Sequence, residues 1–125
     1  MKQAQLIFVF GLVVVLVYDA AAAFVSEATD VGYGWFSFGS FFIYALFGYL
    51  VGRTSKWWVG AVIGVFLGFL DSTVGWIISS YIGPGQPPVE INAVLTGIVI
   101  AFVSILAGMI GLIGGAVSRL RRPNA

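Results

Sequence analysis

Four long apolar runs dominate the chain, each separated from the next by a short polar stretch. The first begins after Lys2 and reads LIFVFGLVVVLVYDAAAAFV, and the second is WFSFGSFFIYALFGYLVG. The third, WWVGAVIGVFLGFLDSTVGWIISSY, and the last, which ends at Arg119, Arg121 and Arg122, are the longest. A bilayer's hydrocarbon core takes about 20 apolar residues as a helix, so the pattern predicts four spans, roughly 4–26, 35–52, 57–81 and 90–118. The second run is short for a crossing, which predicts a nearly upright helix or one that begins within the interface. The first run has the basic start and alanine block of a signal peptide, but Asp19 interrupts the cleavage pattern, so it is read as a retained helix.

The connections are readable as breaks. Ser26 to Gly34 is a polar turn with Glu27 and Asp30, and Arg53 to Lys56 is a tight basic turn. Ile82 to Glu90 holds Pro84, Pro87 and Pro88 with Gly83 and Gly85, which cannot continue a helix. The expected fold is therefore all-α: one domain over 1–125, a compact four-helix transmembrane bundle.

Small residues mark one face of every span. On the third run Gly60, Gly64, Gly68, Asp71 and Gly75 recur at steps of four, four, three and four, with Trp58, Ile63, Phe66, Phe69, Leu70, Trp76 and Ile77 opposite. That pattern predicts a glycine groove against protein and a bulky side against lipid. On the last run Gly97, Ala101, Ser104, Gly108, Gly111, Gly115 and Ser118 alternate steps of four and three, a heptad seam of small residues. The first run places Ala4, Gly11, Tyr18, Asp19, Ala22 and Ser26 on one side, and the second Ser37, Ser40, Tyr44, Gly48 and Gly52. Lipid gives helices no hydrophobic reason to associate, so close contact between such faces must hold them together. The seam on the last run is long enough to suggest a second use, contact with another copy or another membrane subunit.

Composition narrows the chemistry. The chain is 60% hydrophobic and only 9% charged, where soluble domains are about a quarter charged. A small water-soluble fold buries only about 60–70% of its unfolded surface, so lipid must cover the rest. With no cysteine and no histidine, thiolate and imidazole metal sites are excluded, as is histidine acid–base catalysis. No metal and no cofactor are expected. A net charge of +1 leaves no patch for nucleic acid.

The charges that remain are informative by position. Lys2, Arg53, Lys56, Arg119, Arg121 and Arg122 lie at the two termini and the second connection, while the first and third connections hold only Glu27, Asp30 and Glu90. The positive-inside rule then places both termini in the cytoplasm, with the chain in a cytoplasmic (inner) membrane. Trp57 and Trp58 mark the inner interface; Tyr33, Trp35, Trp76 and Tyr81 suit the outer one. The basic tail is expected to favour anionic head groups by about 1 kcal/mol per charge.

Two acids lie inside the spans. At 1.5 Å per residue, Asp19 is roughly 22 Å and Asp71 roughly 21 Å from the cytoplasmic ends, so they share a level. Thr96, counted from the other side, arrives near it, with Tyr18, Ser40 and Tyr44. Asp71, Asp19, Thr96, Tyr44 and Ser40 are thus the candidate ion- or proton-binding residues. An ionised Asp at this depth costs about 2.5–3.5 kcal/mol, and every Lys and Arg is at the far end. The acids must hold protons, share one or bind a cation, open to outer water, or meet a basic residue of another subunit. For Asp19 a wet position at the outer surface is a further alternative.

No HExxH, Cys/His pair, nucleophile elbow or Walker loop is present. The leading expectation is a non-enzymatic accessory or structural subunit that packs through its glycine faces into an oligomer or larger membrane complex. The second is a small proton- or cation-coupled transporter or channel using Asp71 with Asp19. The third is an intramembrane enzyme acting on lipid or peptide, its two aspartates facing as in aspartyl hydrolases.

Overall fold

The computed structural model describes residues 2–83 and 92–121. The proline-rich connection over 84–91, with Glu90, and the tail over 122–125, with Arg122, lie outside the described residues.

Helix α1 runs Lys2–Thr29, three residues beyond the expected end at 26. It stops where Asp30 takes a left-handed backbone (φ 58°), and Ser26 Oγ donates to the Val31 carbonyl at 2.6 Å. A short aspartate tolerates that conformation better than most non-glycine residues. A 3₁₀ turn, Tyr33–Phe36, leads into α2, Ser37–Thr54. Helix α3 spans Val59–Ile82. It is α-helical over Val59–Leu70 and Trp76–Ile82, with a π-helical turn, Asp71–Gly75, between. Gly83, at φ 137°, ends it in a conformation only glycine adopts easily. Helix α4 runs Ala93–Leu120, and Asn92 caps it by accepting the Leu95 N–H at 2.8 Å. All four helices are long and apolar enough to cross a membrane.

The helices are not arranged as a square. Helices α2 and α3 form the middle; α4 packs along both of them and α1 lies on the other side, with no close backbone approach between α1 and α4. The core is Val15, Ile43, Tyr44, Phe47, Val51, Ile63, Leu67 and Ala107. Around it, Phe10, Phe24, Phe42, Phe66, Phe69, Ile105 and Ile113 point outward and are more than half exposed. Such a rim is costly in water and free in lipid.

Glycine sets the spacing at the basic end. A Cβ on Gly48 would collide with the Gly111 carbonyl, one on Gly60 with the same carbonyl, and one on Gly111 with the Gly60 carbonyl. One turn further, a Cβ on Gly64 would strike the Ala107 carbonyl, and one on Gly115 the Trp57 carbonyl. These obstacles are backbone atoms, which cannot swing aside. Gly60, Gly64, Gly111 and Gly115 therefore serve contacts within this chain, and Gly68 and Gly108 lie against the Ala107 and Val65 side chains. The carbonyl contacts bring α2, α3 and α4 together at the end where Lys56, Trp57, Trp58 and Arg119 line a cavity of about 300 Å³.

Two expectations about faces need correction. Ile63, assigned to the lipid side of α3, is only 7% exposed, and its neighbour Leu67 is fully buried. Helix α3 is covered from two directions, by α4 on its glycines and by α1 and α2 beside them, so its buried stripe is wider than the glycine row. Gly97 and Ala101 are exposed, and a Cβ on Gly97 would meet nothing within 4 Å. The seam of α4 is engaged from Ser104 to Ser118 and free before that. At this level Phe36, Phe41 and Trp76 line a cavity together with Val99, Phe102 and Leu106 of α4, while the glycines Gly39 and Gly75 face Tyr18 and Asp19 of α1.

Candidate functional site

Where α4 draws away, a cavity of about 340 Å³ opens among the helices at the end opposite the basic residues. Its polar side comes from three helices: Tyr18 and Asp19 of α1, Ser40 and Tyr44 of α2, Asp71 and Ser72 of α3. Helix α4 faces them with Val99, Phe102, Val103 and Leu106, an apolar wall.

The carboxyls occupy different settings. Asp71 is half-buried, and its Oδ2 accepts a hydrogen bond from the Tyr44 hydroxyl, itself 1% exposed. Ser40 sits one turn before Tyr44 on the same buried face of α2. Asp19 is 2% exposed, and its Oδ2 has no hydrogen-bond partner. It enters a notch made by Gly75: a Cβ there would collide with Asp19 Oδ2 and lie 3.2 Å from Asp71 Oδ1. The two carboxyls thereby converge on the same glycine. As carboxylates both only accept, so a bond between them requires a proton on one.

The π turn places Asp71. A π turn inserts an extra residue into the helical repeat and is frequent at functional sites. Here the residues after Asp71 supply the local compensation. Ser72 Oγ donates to the Gly68 carbonyl at 2.8 Å, and Thr73 Oγ1 to the Phe69 carbonyl at 2.6 Å. Back-bonding of this kind satisfies carbonyls that a distorted helix leaves open, and it bends the helix. Tyr18 anchors the other side, its hydroxyl donating to the Phe36 carbonyl at 2.6 Å and its ring filling the space beside Gly39.

Of the residues singled out from sequence, Asp19, Asp71, Ser40 and Tyr44 meet at this cavity and Thr96 does not. Thr96 Oγ1 donates to the Asn92 carbonyl at 3.0 Å in the first turn of α4, so its hydroxyl is spent on its own helix. Asp19 is not at an open surface. The cavity contributions of Ser72 and Trp76, and the notch at Gly75 that receives the acid of α1, were not foreseen. The one available signal was the Asp71-Ser72-Thr73 triplet, two back-bonding residues directly after a buried acid.

The described basic residues are remote. Lys2 is 17 residues before Asp19 on the same helix, about 25 Å along the axis, and Lys56 is near the far end of α3 from Asp71. Among the described residues, no three His, Cys, Asp or Glu side chains gather as a metal site.

The chain matches no family model, no curated protein and no solved structure. The site must be read from its own geometry.

Proposed function

We propose that this chain is a small integral protein of the cytoplasmic membrane that carries an exchangeable proton or cation on Asp19 and Asp71 and couples it to a small solute. The basic end, with both termini, faces the cytoplasm, and the cavity lies in the outer half of the bilayer. The observation that carries the reading is Asp19 Oδ2: buried, without a partner, beside a second carboxyl, and bordering a cavity. Intramembrane acids are expensive, and where they persist they generally mark an ion or proton path. A bundle needing only to be stable gains more from an apolar pair of similar volume at these positions.

No enzymatic role is proposed. Facing aspartates would suit a hydrolase, but no observation at the cavity favours that chemistry over ion or proton exchange.

Reconstitution tests the proposal. Liposomes containing the chain and an internal pH indicator should show proton movement driven by an imposed solute or cation gradient, and Asp71→Asn should abolish it. Asn keeps the volume and can still accept from Tyr44, so a folded, inactive variant is the expected outcome. Equal proton movement in wild type, Asp71→Asn and empty liposomes would refute it.

A second reading, an accessory subunit or a homo-oligomer, is favoured by one specific feature. Gly97 and Ala101 continue the small-residue seam of α4 onto a surface that the described residues leave open. Gly97→Leu with Ala101→Leu should change the species seen by native mass spectrometry if another helix docks there. An unchanged mass would remove this reading.

A further inference from the structure

The proton-exchange reading leaves the solute open, and the walls of the cavity narrow it. The polar lining carries both acids and the hydroxyls around them; the apolar lining comes from Phe36, Phe41 and Trp76 and from Val99, Phe102 and Leu106 of α4, and is largely aromatic. The groups that can titrate around the pair are Tyr18 on α1, Tyr33 in the 3₁₀ turn before α2, Tyr44 on α2, and the two acids themselves. Helix α4 contributes none. No positive side chain is among the cavity's lining residues.

Resting on that reading, we propose that the cavity binds a monovalent organic cation with an apolar body, an alkyl- or aryl-ammonium, in exchange for one proton. Three features converge. The sign of the site is negative only. Its volume, about 340 Å³, is at the low end of small-molecule pockets and far larger than a bare inorganic ion requires. Its faces are amphipathic, and aromatic rings favour cations that shed water easily.

Charge balance sets the stoichiometry. At this depth net charge is costly, so the occupied and empty states both tend to neutrality. Two carboxyls reach zero net charge with two protons, or with one proton between them and one monovalent cation. Binding then proceeds as chain with two protons plus cation giving chain with one proton and bound cation, plus one proton released. Charge is the same on both sides, and Tyr44 continues to hold Asp71 throughout.

The test uses the full chain in mild detergent and weak buffer, with benzyltrimethylammonium as the probe because its charge is permanent. A pH indicator counts protons, and the change in tryptophan emission, compared with Trp76→Phe, reports binding. The expected result is saturable binding with one proton released per cation, and no binding of neopentylbenzene, the neutral isostere, or benzenesulfonate. Asp71→Asn should weaken binding by roughly 30-fold or more, the usual scale for losing one partner of a buried charge pair. Asp19→Asn provides a second test should Asp71→Asn fail to fold. Equal binding of the neutral isostere, or proton release by sodium or potassium alone, would overturn the ligand class while leaving proton exchange standing. Absence of any proton exchange, with every cation and in a pH jump, would instead overturn the underlying reading.

Discussion

Replacing Gly111 by alanine adds one methyl group at the point where three helices meet. That methyl would collide with the Gly60 carbonyl and lie 3.0 Å from Gly64 Cα. A comfortable carbon–oxygen contact is about 3.3–3.6 Å, so α3 would have to retreat by roughly 1 Å. Over-packing costs about 1–3 kcal/mol where side chains can yield, and here only backbone is available, so the upper figure applies. Alanine recovers about 1 kcal/mol of helix propensity over glycine. The net loss is about 2 kcal/mol, close to 30-fold in the folding equilibrium. Gly97→Ala is the matched control on the same helix: its methyl group meets nothing within 4 Å, so only the propensity gain of up to about 1 kcal/mol remains. The two variants should therefore differ by about 3 kcal/mol although each adds the same atoms. Unfolding by increasing mole fraction of SDS in mixed micelles, followed by helicity and tryptophan emission, measures the difference. If Gly111→Ala unfolds at the same SDS fraction as Gly97→Ala, or later, the close approach of α4 to α3 is wrong.

Two further outcomes follow from the cavity. Tyr44→Phe removes the donor to Asp71 and should cost about 1–3 kcal/mol in the same SDS assay, with helix content retained. Gly75→Ala fills the notch that holds Asp19 Oδ2 and should displace that carboxyl, reducing cation-driven proton release while costing about 1–3 kcal/mol of stability. Proton release unchanged in Gly75→Ala would mean that Asp19 does not need its place beside Gly75.

Much of the fold was legible because membrane helices obey few rules. Run length predicts the spans, and α1, α3 and α4 end within three residues of where composition places them. The small-residue faces were also readable: Gly60, Gly64 and Gly68 meet α4, and Gly48 and Gly52 meet Gly111 and Gly115. Periodicity could not say where a seam stops being used. Gly97 and Ala101 fit the heptad as well as Gly108 and Gly111 do, and only the three-dimensional arrangement, with a cavity between α4 and the other helices near Val99 and Phe102, separates them. The same limit hid the position of Ile63, since burial on α3 depends on neighbours from two sides.

The site was half legible for a related reason. Counting residues along straight helices brought Asp19 and Asp71 to one level, and the structure brings both to Gly75. Thr96 failed because level alone does not give direction: its hydroxyl turns back to the Asn92 carbonyl. The π turn was invisible to a 3.6-residue count, since it breaks that count just where Asp71 needs to be presented.

The central claim is that Asp19 and Asp71 form a protein-lined pair holding an exchangeable proton, and chemical labelling tests it most directly. An apolar carbodiimide, which reaches bilayer depth and reacts with protonated carboxyls, should modify the chain at Asp19 or Asp71, one adduct per chain, located by peptide mass spectrometry. Modification confined to Glu27 and Asp30, or no adduct at all, would contradict the account.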